Sequence, residues 1–203
     1  ELLYYDSTRI NLGLIQSDIN VLWDLAVHDL SILNHISNLN PQEVSAVGHK
    51  HIKNKPETAA YLTVKYQNNF IAHINVNWLS PVKIRKTILG GSNKMIVYND
   101  LEPSDKITIY NKGVNVVKNQ YNSSNLINYK IGDTLIPSLK NKEALSEAVQ
   151  AFYKTIKIKG YTSKSNGNDG LNVVNILEAT EKHIKSNPHD SPRTLKKEKS
   201  IYH

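Results

Sequence analysis

Within Asn20-Val21-Leu22-Trp23-Asp24-Leu25-Ala26-Val27-His28-Asp29-Leu30, a carboxylate and an imidazole stand four residues apart. On a helix that spacing sets Asp24 and His28 one turn above each other on one face, close enough to share a hydrogen bond. Such a pair supports proton transfer: imidazole takes up or releases a proton near neutral pH, while a carboxylate holds its tautomer and stabilises its charged form. Asp24 could equally accept from a substrate hydroxyl directly. The same spacing also describes an ordinary exposed pair on an amphipathic helix, and spacing alone does not choose between these readings.

Other polar residues offer further chemistry. Lys83 and Arg85 project from one face of a strand and could meet the phosphates of a ligand; equally, they could be the charges that keep a sheet edge from aggregating. Arg9, Asn11, Gln16 and Asn20 lie at a strand end and in the loop leading to the helix, where substrate hydroxyls would be read or the loop simply capped. His49 and His51 share one side of a short strand, but no third ligand with suitable spacing accompanies them, which points to a surface role. His73 falls on the polar side of its strand. Trp23 and Trp78 read as core residues, though either ring could line a ligand pocket. Gly90-Gly91-Ser92 lacks the third glycine and the following helix of a dinucleotide-binding Gly-x-Gly-x-x-Gly and reads as a hairpin turn.

The elements that must position these residues follow from periodicity. Leu2 to Ile10 reads as a strand, closed by Asn11 and Gly13, and from Val21 the apolar residues Leu22, Leu25, Ala26, Leu30, Leu33 and Ile36 recur at helical spacing until Pro41. Strands are predicted over Val44 to Lys50, Ala60 to Tyr66, Phe70 to Trp78, Ile84 to Leu89, Lys94 to Tyr98 and Ile107 to Tyr110. Short polar turns between them imply antiparallel pairing, because a parallel crossover needs a dozen residues or more. Asn111 to Leu139 shows no sustained period and reads as a surface excursion. Two helices, Lys142 to Lys157 and Leu171 to Lys185, close the domain. The expected fold is α+β: a mostly antiparallel open sheet of about six strands with helices packed on one face.

Composition sets the outer bounds. At 203 residues, 39% hydrophobic and 21% charged, the chain has the size and make-up of one globular domain. It has no cysteine, hence no disulfide framework, thiolate nucleophile or Cys-based zinc site. No run of roughly 20 apolar residues marks a membrane span and the first residues do not have the order of a signal peptide, so the expected location is the cytoplasm. The net charge of +7 invites a nucleic-acid reading. Part of it falls in the tail, however, and no aromatic residue interleaves the Lys196-Lys197 cluster, so nucleic-acid binding is not expected. We divide the chain into a domain over 1–186 and a basic tail over 187–203. The sequence opens at Glu1, and its single methionine is Met95; we read it as a piece whose missing part lies upstream.

Asp24-Leu25-Ala26-Val27-His28 resembles the Asp-x-x-x-His helix of Gfo/Idh/MocA oxidoreductases, the glucose-fructose oxidoreductase and inositol dehydrogenase family. Leu3 to Gly13 is similar to the strand that opens the C-terminal domain of that family, and Trp78 to Arg85 to its central strand pair. Gly132 to Pro137 and the last helix, with Leu177-Glu178-Ala179, are similar to its nucleotide-sugar dehydrogenase branch. The resemblance runs to about Ser186. It implies the substrate-binding half of an enzyme that oxidises a ring hydroxyl of a sugar or nucleotide sugar, with His28 as acid/base and Asp24 orienting His28 or the substrate. It also implies NAD or NADP held mainly by an N-terminal half, and a homo-oligomer formed through the open sheet face. The family's Glu-Lys-Pro lysine and glycine-rich turn are missing from this sequence, so the chain by itself is expected to be inactive. A stand-alone, non-catalytic sugar-binding or assembly module of the same fold is the alternative.

Overall fold

Period-two alternation sorts the strand residues onto two faces. In β3 (Ala59–Tyr66) and β4 (Ile71–Asn77), Ala60, Leu62, Val64, Tyr66, Ala72, Ile74 and Val76 are buried, while Tyr61, Thr63, His73 and Asn75 turn the other way. Tyr5, Ser7 and Arg9 of β1 (Leu2–Leu12) and Ala46 of β2 (Pro41–His49) join the buried set in register. The computed structural model describes residues 1–37, 39–118, 125–140, 142–163 and 165–186. The expected tail, with Lys196 and Lys197, lies outside them.

Between β1 and β2, a π-turn (Leu22–Ala26) runs directly into α1 (Val27–Ser37). After β4 come β5 (Leu79–Gly91), β6 (Met95–Asn99), β7 (Ile107–Tyr110), β8 (Gly113–Lys118), β9 (Asn125–Lys130) and β10 (Thr134–Leu135). Helices α2 (Ala144–Lys157) and α3 (Gly167–Ser186) complete the described chain. The main sheet has eight strands in the order β10-β7-β6-β5-β1-β4-β3-β2, and β8 pairs with β9 as a separate hairpin.

Two corrections concern the sheet. It is mixed and larger than expected: β1 inserts between β4 and β5, parallel to the first and antiparallel to the second. Neighbour-to-neighbour turn reasoning cannot find such a pair, because α1, β2 and β3 lie between its two strands in sequence. The expected excursion over 111–139 also contains a hairpin and an edge strand, whose alternation is too short to stand out against their polar neighbours.

A third correction concerns the helices. The π-turn, α1 and α3 cover the buried sheet face, with Leu22, Leu25, Leu30, Leu33, Val173, Ile176 and Leu177 in one core with Trp78, Phe70 and the inward strand residues. Helix α2 does not join them: none of its residues is buried. Among the described residues no helix is long and apolar enough to cross a membrane.

Candidate active-site surface

The helix start that carries Asp24 and His28 is built by Asn20. Its buried side chain accepts from the backbone N–H of Leu22 (3.1 Å) and Trp23 (3.3 Å), satisfying two donors that a helix start leaves free. The π-turn then widens the spiral before α1 begins, and such turns recur at functional sites.

Asp24 and His28 sit in the same segment without bonding to each other. Oδ2 of Asp24 accepts from Trp78 Nε1 at 2.7 Å, whereas Oδ1 is bonded to no described residue. Trp78 itself is buried in the core, so a rigid indole fixes the carboxylate. His28 is exposed, and neither of its ring nitrogens bonds a described residue. Partial desolvation, then the positive charge of Arg9, and more weakly that of Arg85, lower its pKa, against the opposing pull of Asp29 and Asp24. The ring therefore stays neutral at neutral pH and carries a nitrogen lone pair able to take a proton.

Arg9 is near enough for its charge to act on His28. At 8% exposed it is held by Asp29, with Nε to Oδ2 at 2.7 Å and Nη2 to Oδ1 at 3.3 Å, while the Tyr5 hydroxyl donates to the Asp29 carbonyl at 3.2 Å. This bidentate pair pins α1 to β1. Arg85 stands opposite Arg9 in the register of β1 and β5, on the same face. Its Nη1 donates to Asp100 Oδ2 at 3.4 Å, and Asp100 also accepts from the Tyr98 hydroxyl at 2.7 Å and meets Lys106 Nζ at 3.8 Å. That hydroxyl bond, more than the cations, holds Asp100 below its ordinary pKa, and burial pushes Tyr98 up to about 12.

The structure thus gathers Asp24, His28, Arg9 and Arg85 in one neighbourhood, with different freedoms. Arg9 and Asn20 are engaged within the fold, through Asp29 and the start of the helical segment. Asn11 is half-buried, and Gln16 and Lys83 are exposed without a described side-chain partner. Asp29, Tyr98 and Asp100 were not singled out from the sequence. The adjacency of Asp29 to His28 was visible there, but its Arg9 partner lies 20 residues away. Trp23 donates from Nε1 to Glu181 at 3.4 Å. The rings of His49 and His51 meet edge to face at 4.7 Å, and no group of three or more metal-ligating side chains occurs among the described residues.

Residues 16–97 match the family model described as the GFO/IDH/MocA C-terminal domain. No curated protein matches the chain in sequence. Among solved structures it is similar to UDP-N-acetylglucosamine 3-dehydrogenase of Acidithiobacillus ferrooxidans, at TM-score 0.71 and 18% identity, over 91% of this chain and 55% of that one. It is also similar to an NAD-binding oxidoreductase of Klebsiella pneumoniae, at TM-score 0.69 and 13% identity, over 92% and 57% of the two chains. An oxidoreductase of Agrobacterium radiobacter, in complex with NAD+, L-tartaric acid and magnesium, matches at TM-score 0.64 and 13% identity, over 93% and 56%. At these identities the likeness is one of fold. The chain spans little more than half the length of each.

The fit to a nicotinamide dinucleotide can be tested on the described glycines. Gly90 and Gly91 end β5, and Gly91 closes a turn by donating its backbone N–H to Lys94 at 2.9 Å, with no helix following. Gly167 and Gly170 open α3, but Asn166 and Asp169 already cap that end and place a carboxylate there. Neither forms a phosphate cradle.

Proposed function

We propose that the chain is the substrate-binding half of an NAD(P)-dependent oxidoreductase that acts on a ring hydroxyl of a sugar, with a nucleotide sugar as the preferred class. The observation that carries this reading is the pairing of an exposed, unbonded His28 with an Asp24 whose one oxygen is clamped by Trp78 and whose other is free. A nicotinamide held outside this chain would exchange hydride with the sugar carbon. His28 takes the proton from the hydroxyl on that carbon, or returns it in the reverse direction. Asp24 Oδ1 accepts from a neighbouring hydroxyl and fixes the ring relative to His28, a positioning role rather than a bond to the imidazole. Arg85, with Lys83 further along the strand, supplies positive charge for the phosphates of an activated sugar.

The test uses a polypeptide joining this chain to a dinucleotide-binding half, with UDP-N-acetylglucosamine as substrate. His28→Ala is expected to lower kcat by at least about 100-fold, the usual contribution of a positioned acid/base. Unchanged hydride transfer would overturn the assignment.

A further inference from the structure

Two arginines stand opposite each other across β1 and β5, and the fold uses them differently. Arg9 and Arg85 are register partners on one sheet face, where like charges repel. Arg9 commits its Nε–Nη2 edge, the side of a guanidinium that meets a carboxylate fork to fork, to Asp29 at 2.7 and 3.3 Å. Arg85 keeps that edge open. Its Nη1 donates to Asp100 Oδ2 at 3.4 Å, while among the described residues neither Nε, which is buried, nor Nη2 has a partner.

The carboxylate that holds Nη1 is itself held. The Tyr98 hydroxyl donates to Asp100 Oδ1 at 2.7 Å, the Asp100 backbone N–H donates to the Arg85 carbonyl at 3.0 Å, and Lys106 Nζ donates to the Asp100 carbonyl at 3.2 Å. Two cations, Arg85 and Lys106, therefore lean on one carboxylate, whereas Arg9 and Asp29 balance. Buried donors are nearly always paired, so an N–H kept from water and left without an acceptor calls for one that the chain does not supply.

We propose that the Nε–Nη2 edge of Arg85 seats an oxyanion of the substrate, taken fork to fork, and that Asp100 and Tyr98 are positioning residues that hold the guanidinium by its other end. The proposal rests on the reading of His28 and Asp24 as the reacting site and names the group that anchors substrate beside it. Arg85 is close enough to His28 for its charge to act on the ring. Its side chain is 34% exposed, and with Nε buried that exposure belongs to its other atoms, so a ligand enters at Nη2 and closes on Nε. The matching chemistry is a group with two neighbouring acceptor oxygens: a phosphate of a nucleotide sugar or a carboxylate on the sugar itself.

Nitrogen-15 spectra of the arginine Nε–H groups test this in the 203-residue chain, whose three arginines are Arg9, Arg85 and Arg193. Arg85→Lys assigns the resonance, and Arg9, already bonded to Asp29, is the internal reference. The probes are UDP, which carries phosphate and no carboxylate, glucuronate, which carries carboxylate and no phosphate, and N-acetylglucosamine, which carries neither. The Arg85 resonance is expected to shift saturably with UDP or glucuronate but not with N-acetylglucosamine. Saturation by UDP gives the edge to phosphate and saturation by glucuronate gives it to a carboxylate; either supports the seat. Tyr98→Phe leaves every charge in place and should weaken that binding by at least about threefold, through loss of the bond that orients Asp100. No shift with either oxyanion, which leaves Nε to a water, overturns the proposal, as does an equal shift with N-acetylglucosamine. Unchanged affinity in Tyr98→Phe overturns the positioning role. None of these readings uses hydride transfer, so failure here and failure of the His28→Ala assay are told apart.

Discussion

Asp24 gives one carboxylate oxygen to Trp78 and keeps the other free, and this division of labour can be tested at single residues. Trp78→Phe keeps an aromatic ring in the core but removes the donor. Loss of a hydrogen bond to a charged group is expected to cost about 1.5–3 kcal/mol, measured by urea denaturation, and sugar affinity should fall with it as Asp24 loses its fixed orientation. Arg9 makes a different case. Arg9→Met strands Asp29 in the interior and should cost about 3–5 kcal/mol, whereas Arg9→Met/Asp29→Leu should recover most of that, because an apolar pair of similar volume needs no desolvation of charge. A denaturant series on the single and double variants decides it. At this scale the sequence was half legible. The spacing of Asp24 and His28 offered the pair without choosing between a site and a surface pair, and the resemblance of the surrounding string made the choice. Their real partners were invisible, since Trp78 lies 54 residues from Asp24 and Arg9 lies 20 from Asp29.

Among the elements, the strands were the most readable, because one covered face imposes alternation and alternation survives in the sequence. β3, β4 and β7 fall where their patterns place them. Pairing was less readable: no local signal tells β1 that it will lie beside β4. The helices divide in the same way. The apolar side of α2 was plain from Leu145, Val149, Phe152 and Ile156, but periodicity says only that a side wants cover, not what covers it. For the segment that presents Asp24 and His28, the start signal was Asn20, read as loop capping or hydroxyl recognition. Its two accepted bonds make it a cap. Asn20→Ala is expected to destabilise the domain by about 1 kcal/mol and to increase hydrogen exchange in the π-turn first.

For the molecule as a whole, His28 ties stability to pH. Its folded pKa lies below the ordinary 6.5, so the unfolded chain binds its proton first. The contribution is therefore complete above the unfolded value and is lost as pH falls from there through the folded value. His28→Gln should flatten that part of the denaturation-midpoint profile, and a profile unchanged between the two proteins would remove His28 as its source. In the joined enzyme, kcat/KM for oxidation should rise with pH and level off below 6.5 for the same reason. The order of the sheet has a consequence for how the protein is made. Within this chain β1 precedes β4 and β5 but sits between them, so one of its edges stays open until the chain has been extended through Asn77 and the other until Gly91. That strand, with its alternating Leu2, Tyr4, Asp6 and Thr8, therefore waits unpaired while the segment from α1 to β3 is synthesised. During that interval the nascent chain, not the finished domain, is the species most exposed to edge-to-edge aggregation and most in need of a chaperone.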